Sequence, residues 1–171
     1  MLTTKSAFRA LTAVFALGLV ACGGGGDADT ATDTTTMAPP AAPVASASGE
    51  SDYVTQCGTC HQADGNGMAG AFPPLAGAEM VNLASPNRHI AVILKGLTGP
   101  VTVKGVEYNG IMTPFETLLS DDQIAAIATY ERSAWGNTGG AVTAAMVAEV
   151  RAAHAARTTS WTYAELTAAI P

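Results

Sequence analysis

The sequence predicts a small all-α fold, and three observations carry that prediction. Of 171 residues, 48% are apolar and only 13% charged, much of the apolar share being alanine, a composition suited to short, closely packed helices. Helix-start signals recur along the chain: Ser85-Pro86, Ser120 with Gln123, and Thr162 with Glu165. The one run with strand alternation, "VTVKGVEY" around Lys104-Gly105, is short and reads as a small hairpin. The length fits one domain and not comfortably two. A formal charge of −6 excludes a chain built to coat nucleic acid.

The first fifty residues lie outside that fold. Met1 to Arg9 carries Lys5 and Arg9 and no acid, and Ala10 to Val20 is almost wholly apolar. The run is too short to span a bilayer, which takes about 20 residues. A basic head before a short apolar core reads as a secretory signal over residues 1–21. The segment ends "LVAC", which resembles the lipobox of bacterial lipoproteins. That resemblance implies an acylated Cys22 at the mature N-terminus and accounts for the odd thiol. It also implies a lasting membrane anchor, since such lipoproteins carry several acyl chains and one alone holds weakly. Gly23, not Asp, follows the cysteine, which by resemblance to enterobacterial sorting favours the outer membrane. The rest of residues 22–50 is Gly-, Thr-, Pro- and Ala-rich, without periodicity or an aromatic residue. It cannot offset its ordering entropy and reads as a flexible linker spanning roughly 30 Å. Loss of Lys5 and Arg9 takes the eight basic residues to six, against fourteen acidic ones.

Beyond the linker the elements follow in order. A helix is expected over about Ser51–Cys60, broken by the glycine-rich turn Gly65–Gly70, then a short helix near Gly77–Ala84. Ser85 caps and Pro86 opens a helix to Lys95, ended by Gly96. After the hairpin, Ser120 and Gln123 form a capping box for a helix over about Asp121–Trp135. Ile124, Ile127, Ala128 and Glu131 recur along it at helical spacing, and Tyr130 is placed where it crosses the first helix. "GNTGGA" breaks the chain. A further helix, about Thr143–Arg157, carries Val147 and Val150, and a last turn starts at Thr162–Leu166. Residues 51–137 thus read as the principal domain and 138–171 as a C-terminal helical extension.

Three of the chain's six cysteines and histidines fall in "CGTCH", Cys57 to His61. A structural zinc site needs four ligands, usually two such pairs, and there is no second pair. A thioredoxin-like redox site expects a strand–helix context, whereas "ESDYVTQ" before Cys57 looks like a helical turn. Covalent haem attachment is the third use, and C-x-x-C-H is its signature. Positions three apart share a helix face, so Cys57 and Cys60 can add to the two vinyl groups on one porphyrin edge while His61 ligates the iron. Export agrees, because outside the cytoplasm an unattached pair tends to oxidise.

The residue on the other side of the iron decides the chemistry. Methionine with histidine suits electron transfer, and an open position permits ligand binding. The candidates are Met68, Met80, His89, Met112, Met146 and His154. Met112 lies 51 residues after His61, on a loop marked by Asn109-Gly110 and Pro114 and backed by the capped helix. Met68 is too near His61 to wrap a macrocycle. Met80 sits in a short helical stretch where methionine is more often core, and His89 is expected to be partly exposed. Met146 and His154 read as packing and surface.

The run "YVTQCGTCHQADGNG", then "AFPPLAG", "IAVILKGLTGPVTVKGVEYNGIMTPF" and "LSDDQIAAIATYERSAWGN" resembles the class I monohaem c-type cytochromes. The "GLTGP", "VKG" and "YNGIM" run and the "RSAWGN" ending are also similar to cytochrome modules that serve alcohol and sugar dehydrogenases, nitrite reductases and terminal oxidases. The resemblance implies helices wrapped around one covalent haem c and its iron, with Cys57 and Cys60 as thioethers and His61 and Met112 as axial ligands. It further implies that Pro73, or failing it Pro74, offers the carbonyl that accepts a hydrogen bond from His61, fixing the ring. One departure stands out: the family commonly has proline directly after the ligand methionine, and here Thr113 intervenes before Pro114.

A modest alanine-rich core gains its apolar centre from the haem, with Phe72, Leu75, Ile93, Leu94, Leu97, Tyr108, Ile111 and Phe115 as expected walls. Arg88, Lys95 and Lys104 are candidate propionate or docking charges, with ordinary solvated charges as the alternative. The expected function is electron transfer, without enzymatic activity or a small-molecule substrate. It passes single electrons between a dehydrogenase or respiratory complex and a terminal oxidase or reductase, from the periplasmic side of a bacterial membrane. The alternative is a ligand-binding haem sensor or peroxidase-like protein with a displaceable sixth ligand.

Overall fold

A computed structural model describes residues 47–171. The signal, Cys22 and the linker up to residue 46 lie outside the described residues. The elements are α1 (Ala47–Gln56), α2 (Gly58–His61), α3 (Asn87–Lys95), β1 (Leu97–Val103), β2 (Val106–Met112), α4 (Asp121–Ser133), α5 (Ala144–Ala153) and α6 (Tyr163–Ala169). The architecture is mostly helical but not all-α, because β1 and β2 form an antiparallel sheet in register from Leu97↔Met112 to Val103↔Val106. The turn residues Lys104 and Gly105 both have positive φ, 51 and 77, as a two-residue hairpin of native twist requires.

α1 begins four residues earlier than expected, so residues 47–50 are helical. Gly49 is the reason: a side chain there would strike the Ala126 backbone and Tyr130, so its absence lets α1 lie close against α4. At the crossing, Tyr53, Tyr130 and Trp135 pack with ring centroids 5.0–5.4 Å apart. Hydrogen bonds run on through the break at Cys57, from Cys57 N to Tyr53 O and from His61 N to Cys57 O, so α2 prolongs α1 with an offset.

The helix expected near Gly77–Ala84 is absent, and turns replace it. Side chains from distant residues take its backbone groups. Asn137 accepts from Gly77 N and from the Asn82 amide, and donates to Leu75 O and Glu131 O. The fully buried Arg132 donates to Val81 O, Leu83 O and Gly140 O. Three well-aligned carbonyls satisfy this guanidinium, without which its burial would be costly.

α3 is buried over His89–Lys95. The two sequence-predicted capping boxes are present, Ser120 with Gln123 on α4 and Thr162 with Glu165 on α6. The terminal segment folds back over α3 and β1. Trp161, only 3% exposed, accepts from Thr98 N and donates to Gly96 O through its backbone. The Arg157 guanidinium lies 3.7 Å from its ring centroid. Leu166 and Ile170 are buried in the same core, each contributing roughly 1.5–3 kcal/mol.

Two expected surface cations serve this packing. Lys95 is buried, donating to Glu116 at 2.6 Å and to Arg157 O at 2.9 Å. Arg88 donates to Ile170 O. Lys104 is exposed, but its backbone N–H meets the Glu79 carboxylate and its ammonium meets Ala76 O, tying the hairpin tip to the 76–79 turn.

Candidate functional site

A cavity of about 290 Å³ opens between α2, the 71–81 segment, α3 and the hairpin. Its walls are largely apolar, and Cys57, Cys60, His61, Pro73, Met80, His89, Met112 and Glu131 reach it. Of the expected wall residues, Phe72, Leu75, Ile93, Leu97, Tyr108, Ile111 and Phe115 line it. Leu94 does not; it is fully buried in the core behind.

His61 ends α2 and is nearly buried, with Nδ1 2.9 Å from Pro73 O. A carbonyl only accepts, so Nδ1 carries the proton and Nε2 keeps its lone pair. Gly67 makes this contact possible. Its φ is 64, and a side chain there would lie 2.6 Å from Pro73 O. The tight passage brings the carbonyl of a residue twelve positions on back to the ring. Tyr53 Oη donates to Gln62 O at 2.6 Å, fixing the exit from α2.

Cys57 is buried, Cys60 is partly exposed, and the two thiols are not joined. Burial pushes the Cys57 thiol well above its ordinary range, and the Glu131 carboxylate and then Cys60 add to the shift. Tyr53 is pushed up in the same way, by burial first and Glu131 second. Among the described residues no group of three or more His, Cys, Asp or Glu side chains is arranged to hold a metal.

Met112 is the last residue of β2, opposite Leu97, and not on a loop as Asn109-Gly110 implied. Those residues continue the strand. The chain leaves through Thr113-Pro114 and returns to α3 by hydrogen bonds from Phe115 N to Ile93 O and from Glu116 N to Leu94 O. Gly96, with φ 75, is essential here, because a side chain would collide with Met112 O.

The other candidate ligands separate. Met68 is 49% exposed and away from the cavity, and Met146 lies exposed on α5. His154 packs edge-on against Trp161. Met80, expected as core, lines the cavity. His89, expected to be partly exposed, is buried with Nε2 2.7 Å from Glu131 Oε2. That contact is not aligned as a hydrogen bond, and His89 Nδ1 and Glu131 Oε2 have no hydrogen-bond partner. Glu131 recurred on the apolar face of its helix in the sequence, the one signal that pointed to its burial.

The profile of the cytochrome c family matches residues 46–135. The chain belongs to that family. It is 44% identical over 97 residues to cytochrome c-552 of Thermus thermophilus, a match covering 55% of this chain and 64% of that protein. It is 38% identical over 109 residues to the cytochrome c subunit of a quinone alcohol dehydrogenase from Gluconacetobacter polyoxogenes, covering 63% of this chain and 23% of that one. A fructose dehydrogenase cytochrome subunit from Gluconobacter japonicus is 35% identical over 106 residues, 58% of this chain and 21% of that one. The chain therefore spans just under two thirds of the cytochrome c-552 and about a quarter or less of the dehydrogenase subunits. The family binds haem c covalently, with its iron, and is not itself catalytic. The cavity fits that group: two thiols on one helical turn, an imidazole whose proton is fixed away from the lone pair, two thioethers and apolar walls.

Proposed function

We propose that this cytochrome c carries single electrons between protein partners, with its haem iron held between His61 and Met112. The observation that carries this reading is the meeting of Cys57, Cys60, His61 and Met112 on one apolar cavity, with His61 oriented by Pro73. The bound haem c supplies one-electron iron chemistry. The chain does the rest. Cys57 and Cys60 tether one porphyrin edge. Pro73 holds the His61 ring and raises the basicity of Nε2. Met112 would supply the second protein ligand, and the apolar walls would keep water and substrate from the bound group.

The names of the relatives support a redox partner of the dehydrogenase kind. The net negative charge suits a partner with a basic docking patch, through salt-sensitive steering. The finer reading places residues 51–137 as the haem domain and 138–171 as its extension. Cleavage after residue 21 leaves Cys22 acylated on the periplasmic side of a bacterial membrane, the outer one favoured. The linker then keeps the domain near its partners.

The test is an absorption spectrum of protein co-expressed with a haem-ligation system, taken in both redox states with and without carbon monoxide. Covalent haem and no carbon monoxide binding are expected. Binding by the reduced protein would instead favour the sensor or peroxidase alternative, and a colourless polypeptide would end the reading.

A further inference from the structure

The pair formed by His89 and Glu131 has no part in the mechanism above. Both side chains are almost wholly buried, 5% and 3% exposed, and both reach the cavity wall. A carboxylate buried this deeply is costly unless it is paired and hydrogen-bonded. Here the imidazole approaches to 2.7 Å without hydrogen-bond alignment, and His89 Nδ1 and Glu131 Oε2 lack a hydrogen-bond partner. Two leucines would fill the same wall without that cost. The pair is therefore placed to exchange charge with something in the cavity.

We propose that His89 and Glu131 form one redox-coupled proton site, which binds a proton when the iron gains an electron and releases it on reoxidation. This rests on the reading that haem sits in the cavity. In the balanced step, one electron from the protein donor converts ferric iron to ferrous iron, and one proton from solvent is taken up by the pair. Reoxidation by the acceptor returns the proton. The physical cause is the low dielectric of the wall, where a change of one charge nearby is weakly screened. An added electron repels the carboxylate and favours the pair with a proton added.

The surroundings leave the pair as the responsive group. Tyr53 on α1 and Cys57 just beyond it face Glu131, and both are pushed upward and held neutral, burial being the main cause and Glu131 next. Cys57 is consumed by attachment. From α2, Cys60 and His61 line the cavity, one committed to the thioether and the other to the iron. Tyr108 lines it from β2. Arg132, next to Glu131 on α4, is occupied by the carbonyls of Val81, Leu83 and Gly140. On α5, Arg151 is held by Asp121 and by Glu116 O and Leu119 O.

The test measures the reduction potential of the haem-loaded protein between about pH 5 and pH 9, where imidazoles and buried carboxylates titrate. An indicator dye reads proton uptake on reduction in weakly buffered solution. The potential should fall as pH rises, with the reduction constant changing by up to tenfold per pH unit, ~59 mV for one electron. Reduction should take up a fraction of a proton, up to one per haem. Glu131→Gln should raise the potential and flatten its slope. The double variant His89→Leu/Glu131→Leu removes both polar groups while keeping the wall filled, so it carries the test if the single variant fails to fold. A potential independent of pH in the unaltered protein overturns the proposal. So does a slope that survives in the double variant, which assigns the proton to another group such as a haem carboxyl. A spectrum taken before titration reports separately whether covalent haem is present; its absence overturns the underlying reading and this proposal with it.

Discussion

The two faces of the cavity are held in opposite ways. The His61 face is local: α1, α2 and the loop to Pro74 lie within a few turns of sequence, and Tyr53, Gly67 and Pro73 fix the imidazole from within that segment. The Met112 face is assembled from a distance. Its strand is paired to β1, its carbonyl lies against Gly96, and Trp161 is hydrogen-bonded to both Gly96 and Thr98 from the far end of the chain. Local restraint makes the proposed ligand His61 hard to lose. Long-range packing makes the other sensitive to everything that holds the tail in place.

Substitutions sharpen that contrast, beginning with the most severe. Cys57→Ala/Cys60→Ala should abolish covalent haem and leave a polypeptide without a cooperative thermal transition. Haem extraction and calorimetry check this, and a sharp haem-independent transition would break the idea that the core depends on the group. Met112→Ala should keep full covalent haem, lower the potential and let the reduced protein bind carbon monoxide. Met80→Ala should do neither. The reverse result would move the sixth ligand to Met80, the other thioether at the cavity.

Trp161→Ala should destabilise the chain by about 3–5 kcal/mol, measured by denaturant unfolding. It should also increase carbon monoxide binding at unchanged haem content; equal effects on both faces would erase the distinction between them. Thr162→Ala should cost about 1 kcal/mol by removing a helix cap. In the unaltered chain, hydrogen bonds from Thr162 and then Arg157 hold the Glu165 carboxyl below its ordinary value. Its contribution is therefore present above the ordinary carboxylate range and lost as pH falls through the lowered value. An acid titration of melting temperature, with and without Thr162→Ala, checks the sign.

What could be read from sequence follows the same division. "CGTCH", the hairpin turn and the capping boxes at Ser120 and Thr162 are set by neighbours a few residues away, and each is present in the fold. The missing helix near Gly77 was not legible, because Asn137 and Arg132, some fifty to sixty residues on, capture its backbone groups. Likewise the burial of His89 depends on Glu131, and that of Lys95 on Glu116 and Arg157. A basic residue whose partner is remote looks like solvated surface until the chain folds. Asn-Gly and Pro are turn signals that imply a loop at Met112, yet strand pairing with Leu97 overrides them.

The burial of Cys57 carries a last consequence, for the order of assembly. The residue is 8% exposed and lies in the core with residues of α3 and α4. What access remains runs through the cavity that Cys57 lines. For the proposed thioether at Cys57, attachment before α4 docks therefore meets less obstruction than attachment after it.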